Sequence, residues 1–332
     1  YTTLFRSEKV TTVTSTTKQS ATTTATDAPK GKGIVIDIGE ANAEPGAEGV
    51  ELPFYLQKYI PSEGFSFAID VPMQQNEDNV QYVSDQLRKL KEFIEECTGK
   101  KITDEALTER LRRSKRTLEK FAQYEKESAD KYVPADLVTP LYVGMTNNLL
   151  LGTKEEEDYV DRLLKDVKNA PAKKGKKIYW MHTIPFWSDA VKNELCFQEK
   201  AQIVGCELSH VCEPDFDPEK PYEAMARRMV YHALNGSAIR RIEAGIRHAK
   251  ETGADGAVWF GHWGCKHTLG AAQLAKRKFE EQGIPLLILD GDGCDRSHGG
   301  EGQTSTRLGA FLEMLNTETD ENTDRQEESH DE

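Results

Sequence analysis

The stretch from Gly256 to Leu289 reads GAVWFGHWGCKHTLGAAQLAKRKFEEQGIPLLIL, and its pattern decides the fold. The apolar runs at 257–260 and 285–289 have the length of buried strands. Residues 269–282 between them are amphipathic and long enough to form a helix. A strand, a helix and a second strand in this order form the repeating unit of a parallel sheet.

The same alternation extends to both sides of this stretch. Further apolar strands are predicted at 178–183 and 201–208. Amphipathic helices are predicted at 188–198, 222–234, 237–252 and 304–315. Strands that are apolar throughout and separated by such helices indicate a parallel sheet covered on both faces. The sequence therefore predicts a doubly wound, flavodoxin-like (Rossmann-like) α/β domain over residues 176–316.

The rest of the chain differs in composition from this domain. Residues 1–32 are rich in Thr and Ser and are expected to be a disordered arm, and 317–332 an acidic disordered tail. Residues 33–170 are expected to be a truncated first domain, which starts with a buried strand at 33–39 and is then largely helical. The basic stretch 171–177 is predicted to be the linker to the second domain.

Composition and charge exclude several classes of protein. The chain has 332 residues, a formal net charge of −13 and no apolar run near the 18 residues that a membrane span requires. An acidic chain is poorly suited to neutralise a nucleic-acid backbone, so no nucleic-acid partner is expected. Six scattered cysteines favour a reducing cytoplasm over an oxidising compartment. The first residue is Tyr1, which suggests a fragment or a processed chain.

Residue types that bind metals or transfer protons are concentrated in the loops that follow the predicted strands. These loops are 182–187 (HTIPFW), 206–212, 261–267 (GHWGCKH) and 290–295 (DGDGCD). The carboxyl ends of parallel strands meet at one edge of a sheet, where such folds bind their ligands. We therefore expect one site at this edge, which we call the carboxyl rim.

Several motifs carry a resemblance to a known family. H-x-x-C at 262–265 follows a strand, GIP at 283–285 precedes the next strand, and GQ-x-x-TR at 302–307 opens the last helix. Further matching motifs are IPFW at 184–187 and TGKKIT at 98–103. Together they resemble the large subunits of the 2-hydroxyacyl-CoA dehydratase and benzoyl-CoA reductase superfamily, specifically the D-component family of 2-hydroxyglutaryl-CoA dehydratase. The resemblance covers roughly residues 67–315.

This resemblance implies a 4Fe–4S cluster held by three cysteines. Cys265 occupies the position of the ligand from the second domain, and thiolate is a soft donor that suits iron. The resemblance places the other two ligands in the first domain. That domain has almost no counterpart here before Phe67, and residues 1–66 contain no cysteine. The alternative for Cys265 is a small buried thiol in the core. His262 is a candidate to hydrogen-bond the cluster or substrate and to act as an acid or base; a packing role is its alternative.

The remaining cysteines receive less specific interpretations. Cys97 lies on the apolar face of a predicted helix, where a core role is favoured over ligation. Cys196, Cys206 and Cys212 are interpreted as structural thiols, because a C-x₅-C spacing is a weak metal signal. Cys294 lies on the carboxyl rim, and its role stays open.

Gln303, Thr306 and Arg307 open the last predicted helix, where free backbone N–H groups favour an anion. They are candidates to bind the phosphates or the thioester of CoA. The alternative for Arg307 is an ion pair with Asp290 or Asp292 that holds the loop.

The function that the resemblance implies is the removal of water from a 2-hydroxyacyl-CoA through a ketyl radical. The implied partners are a second dehydratase subunit, an ATP-dependent activator iron–sulfur protein and the CoA-thioester substrate. One alternative is a benzoyl-CoA reductase-type subunit, which adds electrons to an aromatic ring. The other is a non-catalytic or truncated subunit that is unable to hold a cluster alone.

Overall fold

The computed structural model describes residues 34–40, 65–209, 215–293, 295–298 and 300–328. The predicted arm at 1–32 lies outside the described residues, and so do Cys212 and Cys294.

The first part of the chain combines a small parallel sheet with a layer of helices. Strands β1 (Ile34–Glu40) and β2 (Phe65–Val71) pair in parallel. The sequence pattern predicts the first of them but not the second. The helices that follow are α1 (Glu77–Thr98), α2 (Asp104–Ser128), α3 (Val138–Leu149) and α4 (Lys154–Lys168). The helical character predicted for the middle of the chain is therefore observed.

The second part alternates strands and helices. Its strands are β3 (Lys176–Met181), β4 (Ala201–Cys206), β5 (Gly256–His262) and β6 (Leu286–Gly291). Its helices are α5 (Asp189–Leu195), α6 (Pro221–Val230), α7 (Ala238–Glu251), α8 (Lys266–Leu269), α9 (Ala272–Glu280) and α10 (Glu301–Glu328). All strand pairs are parallel, and the strand order is β4-β3-β5-β6. This order is that of a flavodoxin-like sheet, so the predicted fold class is confirmed.

Apolar side chains alternate between the two faces of this sheet, and each face has its own core. Trp180 and Val258 point to the face covered by α5 and α10. Tyr179 and Trp259 point to the other face, where Phe279 of α9 and Ile242 of α7 cover them. Alternation along each strand explains why both faces need a helical layer.

Helix α6 leaves the sheet and packs against the first part of the chain. Tyr222, Ala226 and Val230 of α6 share a buried cluster with residues of β2 and α1. At the edge of this contact, Arg88 of α1 forms an ion pair with Glu223 at 3.0 Å. The two parts of the chain thus share a core, although their sequences suggest two separate domains.

The last helix is longer than its apolar pattern predicts. Its core-facing residues are Leu308, Phe311, Leu312 and Leu315, which lie within the predicted helix 304–315. The helix continues through the acidic segment to Glu328. The structure therefore differs here from the disordered tail expected from residue 317. The helical backbone continues for about three turns beyond Leu315, the last residue of the helix in the core.

No helix in the described part of the chain is both long and apolar enough to span a bilayer.

Candidate functional site

The carboxyl ends of β3, β4, β5 and β6 meet at one edge of the sheet, as the sequence predicts. Residues that follow each strand contact one another there. Trp187, which follows β3, donates its indole N–H to the Gly293 carbonyl oxygen after β6 at 3.3 Å. The rim is thus a connected surface built from several βα loops.

A buried ion pair lies beneath this surface. Glu207, directly after β4, accepts two hydrogen bonds from the Arg241 guanidinium of α7, with an Nη2–Oε2 distance of 2.6 Å. Both residues are 7% exposed, and the guanidinium also stacks over the Trp259 ring at 5.1 Å. A two-pronged contact of this kind fixes both groups, and the aromatic face adds to the stabilisation of the cation.

The same carboxylate holds the loop after β3 in an uncommon conformation. His182 has φ +70°, a left-handed backbone that costs a side-chain-bearing residue free energy. Its backbone N–H donates to Glu207 Oε2 at 2.8 Å. Glu207 therefore connects the loops after β3 and β4 to helix α7.

The His182 ring is held neutral at the rim. The pKa of His182 is lowered to about 4, chiefly because the ring is buried and also because Arg241 and His262 lie nearby. Its Nδ1 atom is buried and lacks a hydrogen-bond partner within the described residues. The ring borders a cavity of about 170 Å³ that Leu208, Arg241 and His267 also line. A neutral imidazole beside such a cavity offers a hydrogen bond to a bound ligand.

Cys265 lies at the start of α8, in the loop after β5. Its side chain is partly buried. Burial raises the pKa of the Cys265 thiol, but hydrogen bonds from the Thr268 side chain and from the Thr268 and His267 backbones, with the positive charge of Arg241, hold that pKa below its ordinary value. Partial exposure together with a lowered thiol pKa is typical of a reactive or metal-binding cysteine.

His262 is oriented by the loop after β6. Its Nδ1 atom accepts a hydrogen bond from the Gly293 backbone N–H at 2.8 Å. The proton of the neutral ring is therefore on Nε2, which leaves that nitrogen as a hydrogen-bond donor. The side chain is 30% exposed, so a ligand at the rim can reach it.

Asp292 organises the loop that supports His262. Its Oδ2 atom lies 3.2 Å from His298 Nδ1, and its Oδ1 atom accepts from the Asp295 backbone N–H at 3.0 Å. Asp292 Oδ1 is also 3.8 Å from His262 Nδ1. One carboxylate thus contacts two imidazole rings at the rim.

The three candidates for CoA binding lie on α10, and two of them contact other groups of the protein. Gln303 and Thr306 are exposed, and the Thr306 hydroxyl donates to the Gly302 carbonyl at 3.0 Å. Arg307 pairs with Asp290 at 3.1 Å and also donates to the Ile288 carbonyl of β6. The structure thus places Arg307 in the ion pair that was its alternative interpretation, whereas His262 ends β5 and Cys265 lies in the loop that follows it.

The other described cysteines are less suited to ligation than Cys265. Cys206 is fully buried, and burial raises its pKa to about 12. Burial likewise raises the pKa of Cys196 to about 11, and its Sγ lies 3.4 Å from Asp136 Oδ1. Cys97 is partly buried in the last turn of α1.

Sequence reasoning assigned no role to the network of His182, Glu207 and Arg241. His182 and Glu207 each lie at the carboxyl end of a predicted strand, a position that could have marked them, but Arg241 lies within a helix. Its contact with Glu207 joins residues 34 apart in the chain, and no local pattern reports such a contact.

Comparison with known proteins agrees with the motifs around these residues. The family model for 2-hydroxyglutaryl-CoA dehydratase, D-component, matches residues 51–315. The chain belongs to this family. A curated relative is the (R)-phenyllactyl-CoA dehydratase beta subunit of Clostridium sporogenes, which is 25% identical over 266 residues, covering 74% of this chain and 68% of the relative.

Membership in the D-component family confirms the resemblance recognised in the motifs. It identifies the chain as a component of a 2-hydroxyacyl-CoA dehydratase, a lyase class. The matched segment begins upstream of Phe67 and ends at Leu315, so it includes Cys265, His262 and the whole second sheet.

Proposed function

We propose that this chain is an iron–sulfur subunit of an enzyme that removes water from a 2-hydroxyacyl-CoA through a ketyl radical. The observation that carries the proposal is Cys265 at the carboxyl rim of a D-component fold, partly exposed and with a thiol pKa below its ordinary value. The relative in Clostridium sporogenes is a beta subunit, which supports a second subunit as partner. An activator that delivers the electron with ATP completes the proposed system.

The donor chemistry at the rim fits one ligand of a 4Fe–4S cluster. Cys265 supplies the soft thiolate that iron–sulfur sites require. Among the described residues, no three histidine, cysteine, aspartate or glutamate side chains are grouped closely enough to hold a metal ion. The resemblance places the other two ligands in a first domain that has almost no counterpart before Phe67. When bound, the cluster would supply one low-potential electron to the substrate.

The proposed reaction assigns each proton and electron. One electron reduces the thioester carbonyl to a ketyl radical anion, the C2–oxygen bond breaks, and the hydroxyl group leaves as hydroxide. Loss of a proton from C3 and return of the electron complete the removal of water. The electron is not consumed, so its donor acts catalytically.

The residues of this chain would bind and orient oxygen atoms in that sequence. His262, with its Nε2–H directed away from Gly293, can donate to the thioester oxygen or to the departing hydroxyl. The neutral ring of His182 can hydrogen-bond a ligand in the adjoining cavity without adding positive charge. Arg241, which is paired with Glu207, also lines that cavity and holds its wall in place.

Iron and sulfide analysis of the anaerobically purified full chain tests the cluster ligand. Where the wild type binds iron and sulfide, Cys265→Ser should lose most of both, because the thiolate is removed. Cys196→Ser is the matched control, since Cys196 is also partly buried but has a raised pKa. Full iron content in Cys265→Ser would contradict the assignment.

The enzymatic proposal needs a separate measurement. Wild-type chain, combined with its second subunit and the activator, should convert a 2-hydroxyacyl-CoA to the enoyl-CoA, and Cys265→Ser should not. A wild-type chain that binds no iron and supports no turnover would favour the non-catalytic alternative. Reduction of an aromatic thioester without dehydration would favour the benzoyl-CoA reductase type.

Alkylation of the thiols provides a test that needs no cluster. At pH 8, iodoacetamide should modify Cys265 at least about a hundred times faster than Cys206, because only thiolate reacts and the pKa of Cys206 is raised to about 12. Mass spectrometry of the peptides measures both rates. Equal rates in the native chain would contradict the environment assigned to Cys265, and urea-unfolded chain is the control in which the difference should vanish.

A further inference from the structure

A second cavity lies between α6 and α7, away from Cys265 and His262. Its volume is about 470 Å³, which is within the range of ligand pockets. Four arginines line it: Arg227, Arg228, Arg240 and Arg247. We call this cavity the arginine cleft.

The arginines come from both walls of the cleft. Arg240 and Arg247 are seven residues apart on α7, so about 10 Å of helix axis separates them on one face. Arg227 and Arg228 approach from the last turn of α6 on the other wall. The small residue Ala244 lies between Arg240 and Arg247 and leaves room for a ligand.

The charge of the cleft contrasts with that of the protein. Asp215 and Glu243 also line the cleft, and Glu77 pairs with Arg227 at 2.7 Å. Among the described residues that line the cleft, four carry a guanidinium group and two a carboxylate, in a chain whose formal charge is −13. A concave, positively charged region on an acidic protein concentrates small anions locally.

Arg240 is positioned before any ligand binds. Its Nη1 atom donates to the backbone carbonyls of Met73 at 2.6 Å and Asn235 at 2.9 Å. Both acceptors are uncharged, so these bonds orient the guanidinium without neutralising it. Preorganised guanidinium groups bind phosphate oxygens in pairs, which lysine does not do.

We infer that the arginine cleft is a binding site for an organic diphosphate. The cleft has arginines on two walls and extends over two turns of α7, which suits an elongated polyanion better than a single phosphate. Ala233 lines both this cleft and the cavity beside His182, so the remainder of such a ligand can extend towards the carboxyl rim. The inference goes beyond the proposed function, since it requires neither a cluster nor turnover.

Isothermal titration calorimetry of the full chain with pyrophosphate, CoA and ATP tests this inference. We expect pyrophosphate and at least one of the two nucleotides to bind, and added KCl to weaken binding. Arg247→Gln should lower the affinity about tenfold, as the loss of a charge-assisted hydrogen bond does. Arg240→Lys, which keeps the charge but loses the fork, should also weaken binding.

Arg112→Gln is the matched control, because Arg112 lies outside the cleft and pairs with Glu219 at 2.7 Å. This change should leave the affinity within about twofold. If CoA binds more tightly than ATP, the natural ligand is a CoA compound. If ATP binds more tightly than CoA, the natural ligand is a nucleotide effector. Binding of pyrophosphate alone, no binding at all, or equal losses in Arg247→Gln and Arg112→Gln would overturn the inference.

Discussion

Two glutamates in the described part of the chain are almost completely buried, and their surroundings differ in one respect. Glu207, 7% exposed beneath the carboxyl rim, is matched by the Arg241 guanidinium and by the His182 backbone N–H. Glu156, 1% exposed in α4, has both carboxylate oxygens buried without a hydrogen-bond partner among the described residues. One buried charge is fully compensated, and the other is not.

The difference indicates which of the two buried groups organises a site. Glu207 connects three elements, because it holds the loop after β3, follows β4 and pairs with α7. Glu156 makes no such connections among the described residues. Burial raises its pKa to about 7, so it is largely protonated in mildly acidic solution. The buried carboxylate at the rim thus has a guanidinium and a backbone N–H as partners, whereas the one in the helical layer has neither among the described residues.

The largest expected effect comes from breaking the compensated pair. Arg241→Ala should lower the free energy of unfolding by about 3–5 kcal/mol, because Glu207 would remain buried without its cation. Equilibrium unfolding in urea, followed by circular dichroism, measures this loss.

A double variant separates the pair from simple loss of packing. Glu207→Gln with Arg241→Met removes both charges and keeps most of the volume, so it should recover at least half of the stability that Arg241→Ala loses. A double variant as unstable as Arg241→Ala would mean that the Arg241 contacts with Trp259, and not the ion pair, dominate.

The sequence predicts the fold more completely than the site. The predicted strands lie within about two residues of the observed ones, because each is a short apolar run bounded by polar residues. Strand β2 is not among the predicted strands, although its sequence FSFAIDV is largely apolar. It pairs with β1, a segment distant in the chain, and a local sequence pattern does not report such a pairing. The helix predicted at 269–282 is observed as α9 (Ala272–Glu280), and the one-turn helix α8 precedes it and ends at Leu269.

For the site, the rim position of His262 and Cys265 follows from the general rule for parallel sheets and is observed. Their roles stay predictions. The contact between Glu207 and Arg241 forms only when α7 packs beside β4, so the local pattern contains no sign of it. The same holds for the arginine cleft, whose two walls belong to different helices.

Ionisation of Glu156 is expected to change the free energy of unfolding by an intermediate amount. The pKa of Glu156 is about 7 when folded and 4.5 in the reference state, a difference equivalent to about 3 kcal/mol. Because the folded pKa is the higher one, this contribution is fully present below about pH 4.5 and is lost as the pH rises through 7. Urea unfolding from pH 4.5 to 8 measures the loss.

Glu156→Gln isolates this contribution from other titrating groups. The variant cannot ionise, so its stability relative to the wild type should rise with pH over this interval. Glu157→Gln is the neighbouring control, because Glu157 is more exposed and pairs with Arg116 at 3.2 Å. A constant difference between Glu156→Gln and wild type across the interval would show that Glu156 titrates normally.

The smallest expected difference compares helix caps in the same two regions. Ser188 caps α5 at the rim by accepting from the Val191 N–H, and its hydroxyl also contacts Glu301 at 3.2 Å. Thr153 caps α4 by accepting from the Glu156 N–H at 3.2 Å. Each substitution by Ala should cost about 1 kcal/mol, and Ser188→Ala more, because Glu301 loses a buried donor as well. Thermal unfolding of both variants measures the two costs. Equal costs would mean that the hydrogen bond between Ser188 and Glu301 adds nothing to the stability of the protein.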